Sequence, residues 1–190
     1  MNKLYKLLLV VVSVSLIGCV QVVPEAPSKQ SNLAISSVRD LPVLYPQGSV
    51  FSLDPKYVKE TSLKPTQTQS VYKQYSDAII QELEQHGFTY SASANGVAFH
   101  VGFGIALASD LSDETINEKF GVSPGLPSSE GLAKGSFLIY IEDAQMIKKV
   151  WRGAAQGFVH QELDITERKV RTEHIVHMVM KQFYATNKHN

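Results

Sequence analysis

The spacing of apolar residues in the first half of the chain predicts an amphipathic helix. Between residues 68 and 86, large apolar side chains recur at every fourth position: Val71, Tyr75, Ile79 and Leu83. This spacing places side chains on one face of an α-helix. Gly87 follows and can adopt the left-handed conformation with which many helices end.

Alternation of apolar and polar residues predicts strands in much of the remaining sequence. The predicted strands are Ser49–Leu53, Phe88–Tyr90, Val97–Ala106, Ser136–Glu142 and Val150–His160. Because Asn95-Gly96 is a strong type I′ turn signal, the second and third of these strands are expected to form a hairpin. The last two are expected to pair across a turn that begins at Asp143.

Two further helices are predicted in the second half of the chain. Ser112–Phe120 begins with a capping serine, and Asp164 and Glu167 have capping-box spacing at the start of the final helix. Apolar residues form the stripe of that helix: Val176, Val179, Met180 and Phe183. Residues 121–134, with several glycines and two prolines, are expected to form a surface loop. Together the elements predict an α+β fold, an antiparallel β-sheet with two main helices packed on one face.

The N-terminus has the pattern of a secretory signal. Lys3 and Lys6 precede an apolar run over residues 7–17, and Gly18 comes just before Cys19, the only cysteine of the chain. A cysteine directly after a small residue resembles the lipobox of bacterial lipoproteins, in which the thiol is acylated and the signal is cut before it. The sequence therefore predicts a signal peptide over 1–18 and lipidation at Cys19.

Two alternatives to lipidation fit the N-terminal sequence less well. An uncleaved transmembrane helix needs roughly 20 apolar residues, whereas this apolar run ends at Ile17 and is followed by Gln21, Pro24 and Glu25. An ordinary signal peptide with a chance cysteine does not explain why Cys19 has the spacing that lipidation requires. Val20 occupies the position where an aspartate resembles an inner-membrane retention signal, which in a Gram-negative bacterium favours the periplasmic face of the outer membrane.

The predicted domain organisation follows from the change of composition after Cys19. Residues 19–47 contain prolines and serines without sustained periodicity and are predicted to form a lipidated, flexible linker. Within it, Leu33–Val38 could pair as an edge strand. Residues 48–186 are predicted to form the single folded domain, which is long enough to bury a core.

Charge and cysteine content limit the possible functions. Removing Lys3 and Lys6 leaves 16 basic against 18 acidic side chains, a net charge near −2, which argues against nucleic-acid binding. With Cys19 committed to lipid, no disulfide can form. No cofactor, metal site or catalytic residue is predicted.

Two short glycine motifs resemble functional motifs but have simpler structural explanations. Gly121–Gly125 fits the G-x-S-x-G pattern, but the residue after Ser123 is Pro124, which lacks the N–H that an oxyanion hole needs. Gly102-Phe103-Gly104 lies within a predicted strand, where glycines indicate a close approach of another backbone or side chain.

The histidines give two weak pairs. His174 and His177, beside Glu173, could share one helix face, but two ligands without a third make a poor metal site. His100 and His160 could approach each other only if their strands were neighbours.

Trp151 and Arg152 are the remaining candidates. They point to opposite faces of their strand, so Trp151 is expected to pack against a helix and Arg152 to pair with a carboxylate such as Glu142. The functional alternative makes Trp151 and Arg152 a partner-binding patch, because both residue types are enriched at interfaces. The same strand is rich in small residues, as if something lies against it: Gly153, Ala154, Ala155 and Gly157.

Taken together, these segments resemble the DUF4136 lipoprotein domain family over about residues 49–184. The resemblance lies in the strand Gly135–Ile141, the acidic turn at Asp143, the strand start Val150–Ala155 with its Trp-Arg-Gly step, and the strand-proline opening Phe51–Pro55. Residues 111–131 depart from the family's usual loop. The resemblance implies an envelope lipoprotein and brings no catalytic residues.

The sequence thus predicts a lipid-anchored module of the outer membrane that acts by binding or as a structural subunit. Its partner could be another envelope protein, peptidoglycan or a lipid. A periplasmic hydrolase with an unrecognised active site is the alternative.

Overall fold

A computed structural model describes residues 33–56, 63–160 and 162–185. In chain order its elements are β1 (Leu33–Arg39), β2 (Val50–Pro55), α1 (Pro65–Gln85), β3 (Thr89–Tyr90), β4 (Phe99–Leu107), α2 (Asp113–Phe120), β5 (Lys134–Asp143), β6 (Lys148–Phe158) and α3 (Ile165–Ala185). The predicted helices and strands are present, with ends shifted by a few residues.

The six strands form one sheet in the order β1-β6-β5-β4-β2-β3. The neighbouring strands β1, β6, β5 and β4 pair antiparallel, whereas β2 runs parallel to both β4 and β3. The prediction of an antiparallel sheet is therefore wrong, and the sheet is mixed. The reason is the connection through α1, because a chain that crosses over by a helix returns to the sheet in its original direction.

The hairpin predicted around Asn95-Gly96 is also wrong. β3 and β4 lie on opposite sides of β2 and do not pair with each other. A type I′ turn requires positive φ at both central residues, and here only Gly96 has it, at 74°. The second predicted hairpin is confirmed, because β5 and β6 pair along their whole length.

The two long helices, α1 and α3, pack on one face of the sheet, as predicted. The predicted stripe of α3 is fully buried there. The short helix α2 lies on the opposite face, where Ile116 and Val122 pack against Leu138 and Ala154 in a second, smaller core.

The predicted helix ends are formed by local hydrogen bonds. The Ser112 hydroxyl accepts from the Thr115 N–H, and Gly121 ends α2 with φ 64°. The Asp164 carboxylate accepts from the Glu167 N–H, and the Glu167 carboxylate accepts from the Asp164 N–H. This second pair is the predicted capping box.

Residues 33–45, assigned to the linker from sequence, belong to the folded body. β1 pairs along β6 at the sheet edge, and Leu41, Val43 and Tyr45 pack against the main core. The ring of Tyr45 packs against Phe99 of β4, with centroids 4.5 Å apart, and its hydroxyl donates to the Asp143 carboxylate. Residues 19–32 of the predicted linker, and Cys19 with them, lie outside the described residues.

Candidate functional site: a cavity between the two long helices

Trp151 and Arg152 do not form a common surface. Trp151 faces the helices and is 1% exposed, with its ring centroid 5.4 Å from that of Phe183 on α3. Arg152 points to the opposite face, towards α2. In this conformation Trp151 cannot contact a partner, and its packing is that of a core residue.

Arg152 joins three parts of the fold. Its Nε and Nη2 donate to the two carboxylate oxygens of Asp40, at 2.8 and 2.5 Å. Its Nη1 donates to the carbonyl oxygen of Phe120 at the end of α2. Hydrogen bonding to the Asp40 carboxylate raises the pKa of Arg152. Arg152 thus pairs with a carboxylate, as predicted, but the example Glu142 is wrong, because Arg152 lies opposite Tyr140 in the hairpin and its guanidinium reaches Asp40 beyond the end of β1.

The glycine motifs have structural roles. Gly121 is the C-cap of α2, so Ser123 follows a helix. A nucleophile elbow requires the opposite order, with the serine between a strand and the start of a helix. Gly102 lies beneath the ring of Tyr140 on β5, and a Cβ added there would come within 2.0 Å of that ring. The predicted close approach at the strand glycines is thus confirmed.

The histidine pairs are not brought together. His100 lies on β4, whereas His160 lies just beyond the end of β6, and β5 separates these two strands. His177 contacts the buried Glu82 of α1, with Nδ1 3.2 Å from Oε2, whereas His174 is exposed. Within the ranges that the structure describes, no group of three histidine, cysteine or acidic residues is arranged to hold a metal.

Sequence reasoning missed a contact between Ser52 and His100. The Ser52 hydroxyl lies 2.8 Å from His100 Nδ1, on neighbouring parallel strands. Ser52 is only 3% exposed, and neither residue lines the cavity between the two long helices. The pair therefore joins β2 to β4 on the face away from the long helices.

A cavity lies between α1 and α3 on the helix-covered face of the sheet. Its volume is about 700 Å³, within the range of small-molecule sites. The two helices contact each other in their C-terminal halves, where Glu82 meets His177 and His86 stacks on Tyr184. The cavity is lined by their N-terminal halves, from Thr66 to Tyr75 and from Arg168 to Ile175.

Small residues of the sheet create this space. One cross-strand row runs Leu107–Gly135–Gly157–Leu33, and the next runs Ile105–Phe137–Ala155–Ile35. Two glycines stand in the middle of the first row, and Ala155 stands in the second. Because their side chains do not fill the space beneath the helices, a cavity remains where larger residues would pack.

The lining of the cavity combines apolar and polar side chains. Two of its aromatic residues, Tyr75 and Phe137, pack together with ring centroids 4.8 Å apart. Burial raises the pKa of Tyr75 to about 12, and the nearby positive charge of Arg171 opposes that rise. The polar residues of the lining include His160 and Arg168.

Both arginines are held by the backbone. Arg168 Nε donates to the carbonyl oxygen of Leu163 at 2.8 Å, and Arg171 Nη2 donates to that of Phe158 at 2.9 Å. His160 Nδ1 lies 3.0 Å from the carboxylate of Glu162, which is exposed. The run of small residues in β6 was the one sequence signal of this site. It could not reveal the arginines, which come from another element.

The fold and cavity define the class of this protein as an α+β domain whose two helices cover a mixed sheet around a ligand-sized space. The chain belongs to the DUF4136 family, described as a domain of unknown function, which it matches over residues 45–183. No curated protein matches the chain.

Solved structures share this fold at low sequence identity. A DUF4136 family protein from Bacteroides thetaiotaomicron has a TM-score of 0.54 and 16% identity, covering 83% of this chain and 99% of that one. A PDZ domain protein from Parabacteroides distasonis has a TM-score of 0.51 and 11% identity, covering 80% and 35%. A PelC dodecamer from Paraburkholderia phytofirmans has a TM-score of 0.48 and 8% identity, covering 78% and 94%. The first two establish similarity of fold alone.

Within residues 33–56, 63–160 and 162–185, no helix is long and apolar enough to cross a bilayer.

Proposed function

We propose that this protein is a lipid-anchored binding protein of the bacterial envelope that holds a small apolar molecule between α1 and α3. The cavity is the observation that carries the proposal. The cavity opens to solvent, since exposed residues such as Thr66 and Ser70 contribute to its lining, and clefts of this size with an apolar floor are typical sites of small molecules.

The sequence supports the location. Cys19 follows a signal-like segment with the spacing of a lipobox, and acylation there would attach the domain to the periplasmic face of the outer membrane. Each buried CH₂ contributes about 0.8 kcal/mol to membrane affinity, so an anchor of several acyl chains is effectively permanent.

Among the partners considered from sequence, a lipid fits the cavity best. Peptidoglycan is polar and would need many hydrogen-bonding groups in its site, whereas the floor here consists of Ile105, Phe137 and Ala155. Another envelope protein would need an exposed surface, and Trp151 does not provide one.

The binding proposal is tested on the lipidated, full-length protein. Protein purified in mild detergent is extracted with organic solvent, and the extract is analysed by mass spectrometry. We expect a molecule that wild type retains and that Ala155→Leu, which fills the cavity, does not. Ala94→Leu makes the same change at an exposed loop position and should retain the molecule. Equal extracts from all three proteins, with thermal unfolding showing each one folded, would refute the proposal.

The anchor has a separate test. Replacing Cys19 by alanine should abolish incorporation of an alkyne-labelled fatty acid and release the protein from the outer membrane. Continued labelling of the Cys19→Ala protein would show that the lipobox assignment is wrong.

A further inference from the structure

The two edges of the sheet differ, and we infer that one of them is the interface of a homodimer. In this dimer β1 pairs antiparallel with β1 of a second copy, so that the two six-stranded sheets become continuous. The pairing uses the backbone hydrogen bonds of a strand edge, as in proteins that bind a partner by adding a strand to a sheet. It does not require the cavity to be occupied.

β1 has the features of an open edge. It is seven residues long, and it contains no proline and no charged residue before Arg39. No backbone hydrogen bond joins residues 33–38 to any described residue outside β6. Proteins usually protect sheet edges with short strands, prolines or lysines, because unpaired N–H and C=O groups attract other strands. The opposite edge is protected in this way, since β3 has only two residues.

A second copy fits this edge because β1 is complementary to itself. When β1 pairs with itself over its full length, Ser36 lies opposite Ser36, and Ala34 lies opposite Val38. Arg39, the one charged residue, lies opposite Leu33, so no like charges meet across the pair. Directly opposed residues of antiparallel strands share a face of the sheet, so α3 of both copies lies on the same face. Such two-fold pairing of identical surfaces is the commonest form of homo-oligomer.

Elements on both faces of the sheet extend the interface beyond β1. On one face the Ser123 N–H donates to the Ser36 hydroxyl at 3.4 Å. On the other, Arg39 donates to the carbonyl oxygen of Phe183 in α3 at 2.9 Å. Stable interfaces bury about 800 Å² on each partner. The segments beside β1 therefore add contact area to the strand pair itself.

Anchoring at Cys19, as proposed above, favours this pairing. Leu33 lies 14 positions after Cys19, and an extended segment of that length spans at most about 50 Å. Antiparallel pairing of seven-residue strands separates the two Leu33 residues by about 20 Å. Both copies can thus be anchored in one bilayer, where confinement raises their effective concentration.

The first test reads the strand register by disulfide crosslinking in intact cell envelopes. Ser36→Cys should give a covalent dimer on oxidation, because opposed Cα atoms lie about 4.5–5.5 Å apart, within disulfide range. Ala34→Cys and Val38→Cys should each give little dimer alone but crosslink to each other when the two variants are co-expressed. Wild type should give none, and neither should Ala94→Cys, at an exposed loop position between β3 and β4.

The second test uses charge at the two-fold axis, and it measures co-purification of two copies that carry different tags. Ser36→Lys or Ser36→Glu in both copies should lower co-purification by about fivefold, because like charges then lie directly opposite each other. A Ser36→Lys copy together with a Ser36→Glu copy should restore it. Ala94→Lys is the control and should change nothing. Thermal unfolding of each variant shows whether it is folded.

Four results would overturn the inference. The first is a folded Ser36→Cys protein that gives no covalent dimer, and the second is a Ser36→Cys crosslink to a different envelope protein. The third is strong crosslinking of Ala34→Cys to itself, which would indicate parallel pairing or another register. The fourth is a loss in the Ser36→Lys protein that the Ser36→Glu copy does not restore.

Discussion

Gly153 lies where the indole of Trp151 needs room, so adding one methyl group there should destabilise the protein. A Cβ at this position would lie 2.4 Å from Trp151 Cη2 and 2.8 Å from Val179 Cγ1. Ordinary carbon contacts begin near 3.4 Å, so the ring or α3 must move by about 1 Å. Both are buried and closely packed, and neither can move freely.

The expected magnitude of Gly153→Ala is a loss of about 1–2 kcal/mol in unfolding free energy. Overpacking of a core costs about 1–3 kcal/mol. Replacing a glycine inside a strand recovers about 0.5–1 kcal/mol of conformational entropy. For a protein of this size, each kcal/mol lowers Tm by roughly 2–4 °C.

The assay is a double-mutant cycle with Trp151→Phe, followed by urea unfolding and circular dichroism. The smaller ring of phenylalanine vacates the space above Gly153. We therefore expect Gly153→Ala to cost less than half as much in the Trp151→Phe background, with a coupling of about 1 kcal/mol. Gly135→Ala is the matched control, because its Cβ would approach nothing closer than the Val159 methyl at 3.3 Å.

Additive effects of Gly153→Ala and Trp151→Phe, within about 0.5 kcal/mol, would refute this reasoning. They would mean that the indole does not occupy the space that Gly153 leaves open.

Three further predictions follow from other contacts. Arg152→Lys should lower the unfolding free energy by about 1–3 kcal/mol in urea titrations, because one ammonium cannot bind Asp40 in two places and also reach α2; unchanged stability would contradict it. Hydrogen bonding by Lys134 lowers the pKa of Asp113, so the charged carboxylate stabilises the fold above the ordinary aspartate pKa and this stabilisation is lost as the pH falls through the lowered pKa. The difference in unfolding free energy between wild type and Asp113→Asn should therefore shrink between about pH 5 and pH 2. A difference that stays constant over this range would contradict the prediction. A chain that begins at residue 48 should aggregate, as judged by size-exclusion chromatography, because β6 loses β1; a stable monomer would show that β1 is dispensable.

Most individual elements could be predicted from local sequence. The four-residue spacing from Val71 to Leu83 and the capping pair Asp164–Glu167 depend only on residues within a few turns of one another. Such signals do not depend on how distant parts of the chain pair, so α1 and α3 occur where they were expected. The family resemblance rested on the same local features and is confirmed over residues 45–183.

Predictions that needed pairing information were less successful. Asn95-Gly96 is a good turn sequence, yet β3 and β4 each pair with β2 and not with each other. Arg152 was expected to bind across its own hairpin, but its carboxylate is 112 positions away, at Asp40. Neither pairing could be predicted from the residues next to it in the sequence.

The sequence alone determined most of the secondary structure and the helical stripe that faces the sheet, because each depends on residues close together in the chain; lipidation at Cys19 stays a prediction from the sequence. Only the tertiary structure decided the strand order, the parallel pairing of β2 and the cavity between α1 and α3. The cavity shows why. Small residues of β5 and β6 form its floor and arginines of α3 contribute to its lining, and only the packing of a helix over a sheet brings them together.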